Sequence, residues 1–246
     1  MEIIRTKSFE LAAISRGDKN AKRFALLLPG RLDTKDYASF TSHVEYLAAR
    51  GFFAVAFDPP GTWESPGTTE LFTTTNYIKA VNEIIEHFGN RPTLLLGHSR
   101  GGAVAILAGA ANPAVVAIVA VMANFGSPNE LAPDVVKRGY SVSHRDLPPG
   151  TSKTAEQKEF KLMLEYWTDG KRYDPEGTLK KCTKPKLVIY GTHDDFVSPD
   201  EVRKLLEGVP EPTMSKEINC DHDYRYSADA IKEVNEEVGK FIEKYL

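Results

Sequence analysis

Short apolar runs alternate with longer stretches of helical periodicity along most of the chain, the pattern of a mostly parallel sheet flanked by helices. Residues 24–28, 53–57, 93–96, 115–122 and 186–190 are continuous apolar runs, which predicts strands buried on both faces. Residues 214–218 are more polar and read as an edge strand. The spacing of apolar positions predicts helices over residues 37–50, 73–88, 99–111, 199–206 and 228–245. In the last of these, Ile231, Val234, Val238, Phe241 and Ile242 recur at intervals of three and four, giving one stripe to lay against the sheet. Ahead of the first buried run, residues 1–14 alternate and then meet Arg16-Gly17-Asp18, which predicts an opening antiparallel hairpin at one sheet edge. The class is α/β.

One segment breaks the alternation. Residues 127–184 separate two buried strands by far more than an ordinary connection and hold Pro128, Pro133, Pro148, Pro149 and Pro175, so they read as an insertion. The core is then residues 1–126 and 185–246. Within the insertion, residues 155–167 read as a helix with Phe160, Leu164 and Trp167 on one face, and residues 146–154 read as loop.

Composition narrows the class of function. At 246 residues the chain forms one large domain, or one domain with an insertion, without needing disulfide staples. The 41% hydrophobic and 26% charged fractions are those of an ordinary globular protein, and 31 Lys and Arg against 34 Asp and Glu leave no basic excess for a nucleic-acid partner. Residues 114–123, the longest strongly apolar run, reach about half of a bilayer span, and residues 1–9 alternate charge with apolar residues where a secretory signal carries an apolar stretch. The sequence thus predicts a cytoplasmic chain with no membrane span. Cys182 and Cys220 read as free semi-buried thiols toward opposite ends of the sheet, and no Cys/His spacing suggests a metal.

Chemistry concentrates at Leu94-Leu95-Leu96-Gly97-His98-Ser99-Arg100-Gly101-Gly102. A serine on a sharp strand-to-helix turn needs small neighbours, and Gly97 and Gly101 flank Ser99 at the G-x-S-x-G spacing, after a predicted strand and before an Ala-rich helix. A serine that merely caps a helix is the plainer alternative.

This motif resembles the nucleophile turn of the α/β-hydrolase superfamily, and the resemblance runs from about residue 24 to the C-terminus. The family's chain order of nucleophile, acid and histidine is available at the expected strand ends. Gly191-Thr192-His193-Asp194-Asp195-Phe196-Val197-Ser198-Pro199 looks like the family's acid turn and puts the acid on Asp194, with Asp195 as runner-up; Asn219-Cys220-Asp221-His222-Asp223 stands where the family's histidine loop sits. The resemblance therefore implies a triad of Ser99, Asp194 and His222, with an oxyanion hole from the backbone N–H groups of Arg100 and Arg31. Pro29-Gly30-Arg31 departs from the His-Gly-x of many relatives, and Trp63 in Asp58-Pro59-Pro60-Gly61-Thr62-Trp63-Glu64-Ser65 replaces the second glycine of a D-x-x-G-x-G-x-S loop. By the same resemblance the insertion is a small cap, as in carboxylesterase, feruloyl-esterase and monoglyceride-lipase relatives.

The remaining histidines read otherwise: His43 and His87 as surface residues of amphipathic helices, His98 as structural, His144 as at most a pocket wall, and His193 as lying on the wrong side of Asp194 for the base. The side chains of Arg31 and Arg100 are expected to be solvated. Trp63 is either a packing plug or a pocket wall, and Tyr140 and Trp167 are candidate substrate contacts, with Phe160, Tyr166 and Tyr173 as further aromatics for an apolar acyl pocket. Nine basic and nine acidic residues between 128 and 180 supply no net field for a charged substrate. The expectation is a serine hydrolase of small to medium neutral carboxylic esters, needing no metal or organic cofactor. A peptidase or amidase, which would need a fixed acidic group such as Glu165, Glu130 or Asp134, an acyltransferase, and a silent binding module remain as alternatives.

Overall fold

The computed structural model describes residues 2–126 and 130–246; the first three residues of the insertion lie outside them. The chain opens with strands β1 (Glu2–Arg5), β2 (Glu10–Arg16) and β3 (Arg23–Leu28), then helix α1 (Ala38–Ala48), β4 (Phe52–Phe57), α2 (Thr74–His87), β5 (Thr93–His98), α3 (Arg100–Ala111) and β6 (Val115–Val121). After α4 (Pro133–Arg138), β7 (Tyr140–Asp146), β8 (Gln157–Met163), α5 (Glu165–Gly170) and α6 (Pro175–Leu179), it returns through β9 (Lys186–Gly191), α7 (Pro199–Leu206), β10 (Thr213–Ile218) and α8 (Ala228–Tyr245).

Eight strands form one sheet in the order β1-β2-β4-β3-β5-β6-β9-β10, parallel except where β1 meets β2 and β2 meets β4. The predicted opening hairpin is present at the edge, turning at Thr6–Phe9; Gly17 instead lets the chain leave β2 and pass beyond β4 to β3. Alternate residues of each central strand feed two cores. Phe24, Leu26 and Leu28 pack with α2, α3, α6 and α7 on one face, while Ala25 and Leu27 pack with α1 and α8 on the other. Cys182 belongs to the first core and Cys220 to the second, so the sheet stands between the two free thiols.

The insertion corrects one expectation. Residues 157–163 form strand β8, paired antiparallel with β7 from Tyr140↔Met163 to Asp146↔Gln157, and only Glu165–Gly170 is helical. Phe160 and Leu162, two residues apart, are the buried pair, so period two prevails over the i, i+4, i+7 reading. The loop end of this hairpin is fastened by polar groups: Asp146 accepts from Arg225 Nη2 at 3.0 Å and from Tyr226 OH at 2.6 Å, while Tyr37 OH donates to the Asp146 carbonyl at 2.9 Å. Its β8 side and α5 rest on aromatic contacts, Phe160 on Trp63 at 5.3 Å and Tyr166 on Phe72 at 5.5 Å between ring centroids.

Candidate active site

Parallel strands bring their C-terminal ends to one edge of the sheet, and the three loops carrying Ser99, Asp194 and His222 follow β5, β9 and β10 there. Ser99 itself has φ +51°, a left-handed conformation a non-glycine residue adopts only when its surroundings impose it. The surroundings are tight: a Cβ on Gly97 would stand 2.1 Å from the Gly101 carbonyl oxygen, and one on Gly101 would stand 1.9 Å from that of Leu28. The turn is held by Ser99 N donating to Val121 O at 2.9 Å.

His222 Nδ1 lies 2.8 Å from Asp194 Oδ2 and Nε2 lies 2.9 Å from Ser99 Oγ. A carboxylate only accepts, so Nδ1 carries the proton and Nε2 is left to accept from the serine hydroxyl. The other carboxylate oxygen of Asp194 accepts from Phe196 N at 2.8 Å and Val197 N at 2.9 Å. Burial alone would push this carboxyl up, but the His222 ring and the two N–H donors hold it below the usual range. Asp195 and His193 are exposed and take no part.

Behind His222 lies a second buried pair. His98 Nδ1 faces Asp33 Oδ2 at 3.1 Å and its Nε2 faces the His222 carbonyl at 2.9 Å, so both ring nitrogens meet acceptors and the imidazolium is the form that satisfies both. Burial opposes each charge, yet the pairing lifts His98 and, with Arg145, draws Asp33 down to about 2. Arg145 of β7 donates to the Arg31 carbonyl from Nε at 3.0 Å and Nη2 at 2.8 Å, which pins the loop after β3. Neither the Arg31 nor the Arg100 backbone N–H donates a hydrogen bond among the described residues.

A cavity of about 760 Å³ opens over Ser99 and His222. Of the aromatic candidates, Trp167 and Tyr166 line it, whereas Trp63, Tyr140, Phe160 and Tyr173 do not. Phe196, strongly exposed, lies at its rim with its ring 4.8 Å from that of His222. Trp63 stands at φ +46°, in the left-handed region that favours glycine, with Nε1 donating to Leu32 O at 2.8 Å and its ring edge-on to Tyr37. Glu130, Asp134 and Glu165 are exposed and outside the lining.

Two further expectations are corrected. His43 is buried, its Nδ1 donating to Asn235 Oδ1 at 2.6 Å and its Nε2 accepting from Tyr224 OH at 2.7 Å, because the polar position of α1 faces α8 rather than water. Arg100 is also buried, its Nη2 bonded to Thr74 Oγ1 and its guanidinium 5.3 Å from the Tyr166 ring centroid. A carboxylate cluster of Asp36, Asp58 and Glu64 surrounds Lys35 Nζ at 2.6, 3.1 and 2.5 Å, so an ammonium already meets its charge. No helix among the described residues is long and apolar enough to cross a membrane.

The alpha/beta hydrolase family model matches residues 25–237. A 2-hydroxy-6-oxononadienedioate/2-hydroxy-6-oxononatrienedioate hydrolase of Dechloromonas aromatica is 24% identical over 76% of this chain and 75% of its own length. A mitochondrial palmitoyl-protein thioesterase of Mus musculus is 22% identical over 83% of this chain and 70% of its own. Among solved structures, a Paleococcus ferrophilus monoacylglycerol lipase superposes with a TM-score of 0.75 at 18% identity, covering 96% of this chain and 100% of that one. A Butyrivibrio proteoclasticus protein with ferulic acid bound gives 0.74 at 17%, covering 100% and 99%. At these identities the superpositions speak to fold alone.

Proposed function

The chain belongs to the alpha/beta hydrolase family, and from that premise we propose that it is a serine hydrolase cleaving small to medium carboxylic esters through an acyl-enzyme. The observation that carries this reading is the unbroken chain of contacts from Asp194 through His222 to Ser99, at 2.8 and 2.9 Å. In the proposed reaction His222 Nε2 takes the hydroxyl proton as Ser99 Oγ adds to the ester carbonyl. The negative oxygen that forms is met by the N–H groups of Arg100 and Arg31, which donate no hydrogen bond among the described residues. Collapse expels the alcohol, which receives its proton from His222. A water deprotonated by the same imidazole then attacks the acyl-serine, releasing the acid and regenerating the hydroxyl.

We place the site in an α/β core of residues 1–126 and 185–246, beneath a cap formed by residues 127–184. The position of the hairpin supports this, since Arg145, Tyr166 and Trp167 of that segment line the cavity over Ser99. The names of the relatives, a hydrolase of dienedioates and a thioesterase, agree with acyl chemistry on the same framework. The test is labelling with a fluorophosphonate probe alongside hydrolysis of p-nitrophenyl butyrate. Ser99→Ala should lose both together, and unchanged hydrolysis in that variant would overturn the mechanism.

A further inference from the structure

Arg100 stands one residue after the candidate nucleophile and is 5% exposed, yet no carboxylate oxygen comes within 4.0 Å of it among the described residues. Of the carboxylates on the cavity wall, Asp33 has His98 and Arg145, Glu176 has Lys180 at 2.6 Å and Asp223 has Arg225 at 3.6 Å, while Glu201 and the lining Lys204 are both exposed on α7, where water screens their charges. A guanidinium is a cation, and a buried charge without a counter-charge is costly. The hydroxyl of Thr74 and the face of Tyr166 offset only part of that cost.

The guanidinium is not sealed in. Among the described residues the buried side-chain polar atoms lacking a partner are Glu2 Oε1 and Arg225 Nε, so the unbonded nitrogens of Arg100 open onto the cavity that it lines. From this we infer that the substrate is an ester bearing a second, free carboxylate, which docks on Arg100. One uncompensated guanidinium calls for one negative charge, and its planar fork matches a carboxylate. A phosphate dianion would leave surplus charge in the cavity. Trp167, Phe125, Val202 and Leu205 of the same lining supply apolar surface for the chain that separates the two groups. Arg31, on the same wall, is half-exposed, so water screens its charge and the buried Arg100 is the cation left to be matched. The expectation of a neutral acyl group rested on the charge balance of the insertion, whereas this charge comes from the core.

This inference rests on the serine-hydrolase reading, and its test separates the two. The kcat/KM for mono-p-nitrophenyl glutarate is compared with that for p-nitrophenyl valerate, which has the same acyl length and no charge. The wild type should favour the half-ester by tenfold or more. Arg100→Gln should drop that ratio by at least tenfold, whatever it does to the common rate, and Arg100→Lys should keep a preference for the half-ester. A wild-type ratio at or below one, or an unaltered ratio in Arg100→Gln, would overturn the inference. Should Arg100→Gln not fold, competitive inhibition of the wild type by glutarate against glutaramide decides: tenfold stronger inhibition by glutarate supports docking on a cation, and equal inhibition refutes it. Calorimetric binding of glutarate to Ser99→Ala is read without turnover. If neither ester is hydrolysed but glutarate binds and is lost with Arg100→Gln, the hydrolase reading fails while the anion site stands.

Discussion

Replacing Asp194 by asparagine separates the charge of this carboxylate from its shape. Oδ1 accepts two backbone N–H groups, from Phe196 and Val197 at 2.8 and 2.9 Å, while Oδ2 faces His222 Nδ1 at 2.8 Å. An amide NH2 turned toward the two N–H groups would cost both hydrogen bonds, so the asparagine oxygen stays there and its NH2 meets the ring. Nδ1 must then accept, which moves the imidazole proton to Nε2 and aims it at Ser99 Oγ. The histidine can no longer receive the serine proton. Amidating a triad acid lowers kcat by about 10⁴, and at about 1.4 kcal/mol per factor of ten this is about 5.6 kcal/mol of transition-state stabilisation. Because the backbone contacts survive, the melting temperature should move by only a few degrees. The assay is initial-rate hydrolysis of p-nitrophenyl butyrate with a circular dichroism melt, and KM should stay within a few-fold. Asp195→Asn, at an exposed position, should fall within about threefold of wild type. A folded Asp194→Asn retaining more than a tenth of kcat, or a larger loss in Asp195→Asn, would refute the reasoning.

Burial holds the His43 ring neutral with its pKa pushed down to about 4, so the unfolded chain binds this proton first as pH falls. Stability should drop by about 1.4 kcal/mol per pH unit through the window from about 6.5 to about 4, roughly 3 kcal/mol in all. Urea unfolding at pH 7.0 and 4.5 should show that difference in wild type and a smaller one in His43→Gln; equal slopes would refute the assignment. At Trp63, with φ +46°, alanine keeps a left-handed cost of about 1–2 kcal/mol that glycine escapes, against about 0.4–1 kcal/mol of extra chain entropy for glycine. Trp63→Gly should therefore be at least as stable as Trp63→Ala, reversing the usual order. Both should fall about 3 kcal/mol below wild type through lost contact with Phe160 and the bond to Leu32. Thermal melts of the pair decide, and a clear advantage for alanine would refute the strain argument.

The parts of this fold that could be read from sequence are those in which a local rule and the tertiary environment agree. Residues 24–28 and 93–96 are apolar on both faces because both faces are covered, and the turn around Ser99 announces itself because Gly97 and Gly101 have no room for a Cβ. The strand β8 was hidden because Phe160 fits two periods at once, and Gln157-Lys158-Glu159 gives the eye no β-branched residue. The burial of His43 and Arg100 is illegible in the sequence for a different reason. Each lies on a helix at a position whose polarity suggests water, and the groups that bury it, Tyr224 and Asn235 in one case and Thr74 and Tyr166 in the other, are remote in the chain. The Asp33–His98 link likewise joins the loop after β3 to the end of β5, a meeting that only the sheet order determines.

The hairpin whose Arg145 lines the cavity is attached in two chemically different ways, and these differ in their response to temperature. The cluster of Asp146, Arg225, Tyr226 and Tyr37 is polar and changes little on cooling, whereas the aromatic seam of Phe160 on Trp63 and Tyr166 on Phe72 draws on apolar hydration, which weakens in the cold. Chilling therefore loosens one border of the flap and leaves the other as its axle. The cavity above Ser99 should admit bulkier molecules at low temperature along the β8 and α5 side, with the loop of residues 147–156 as the fixed pivot.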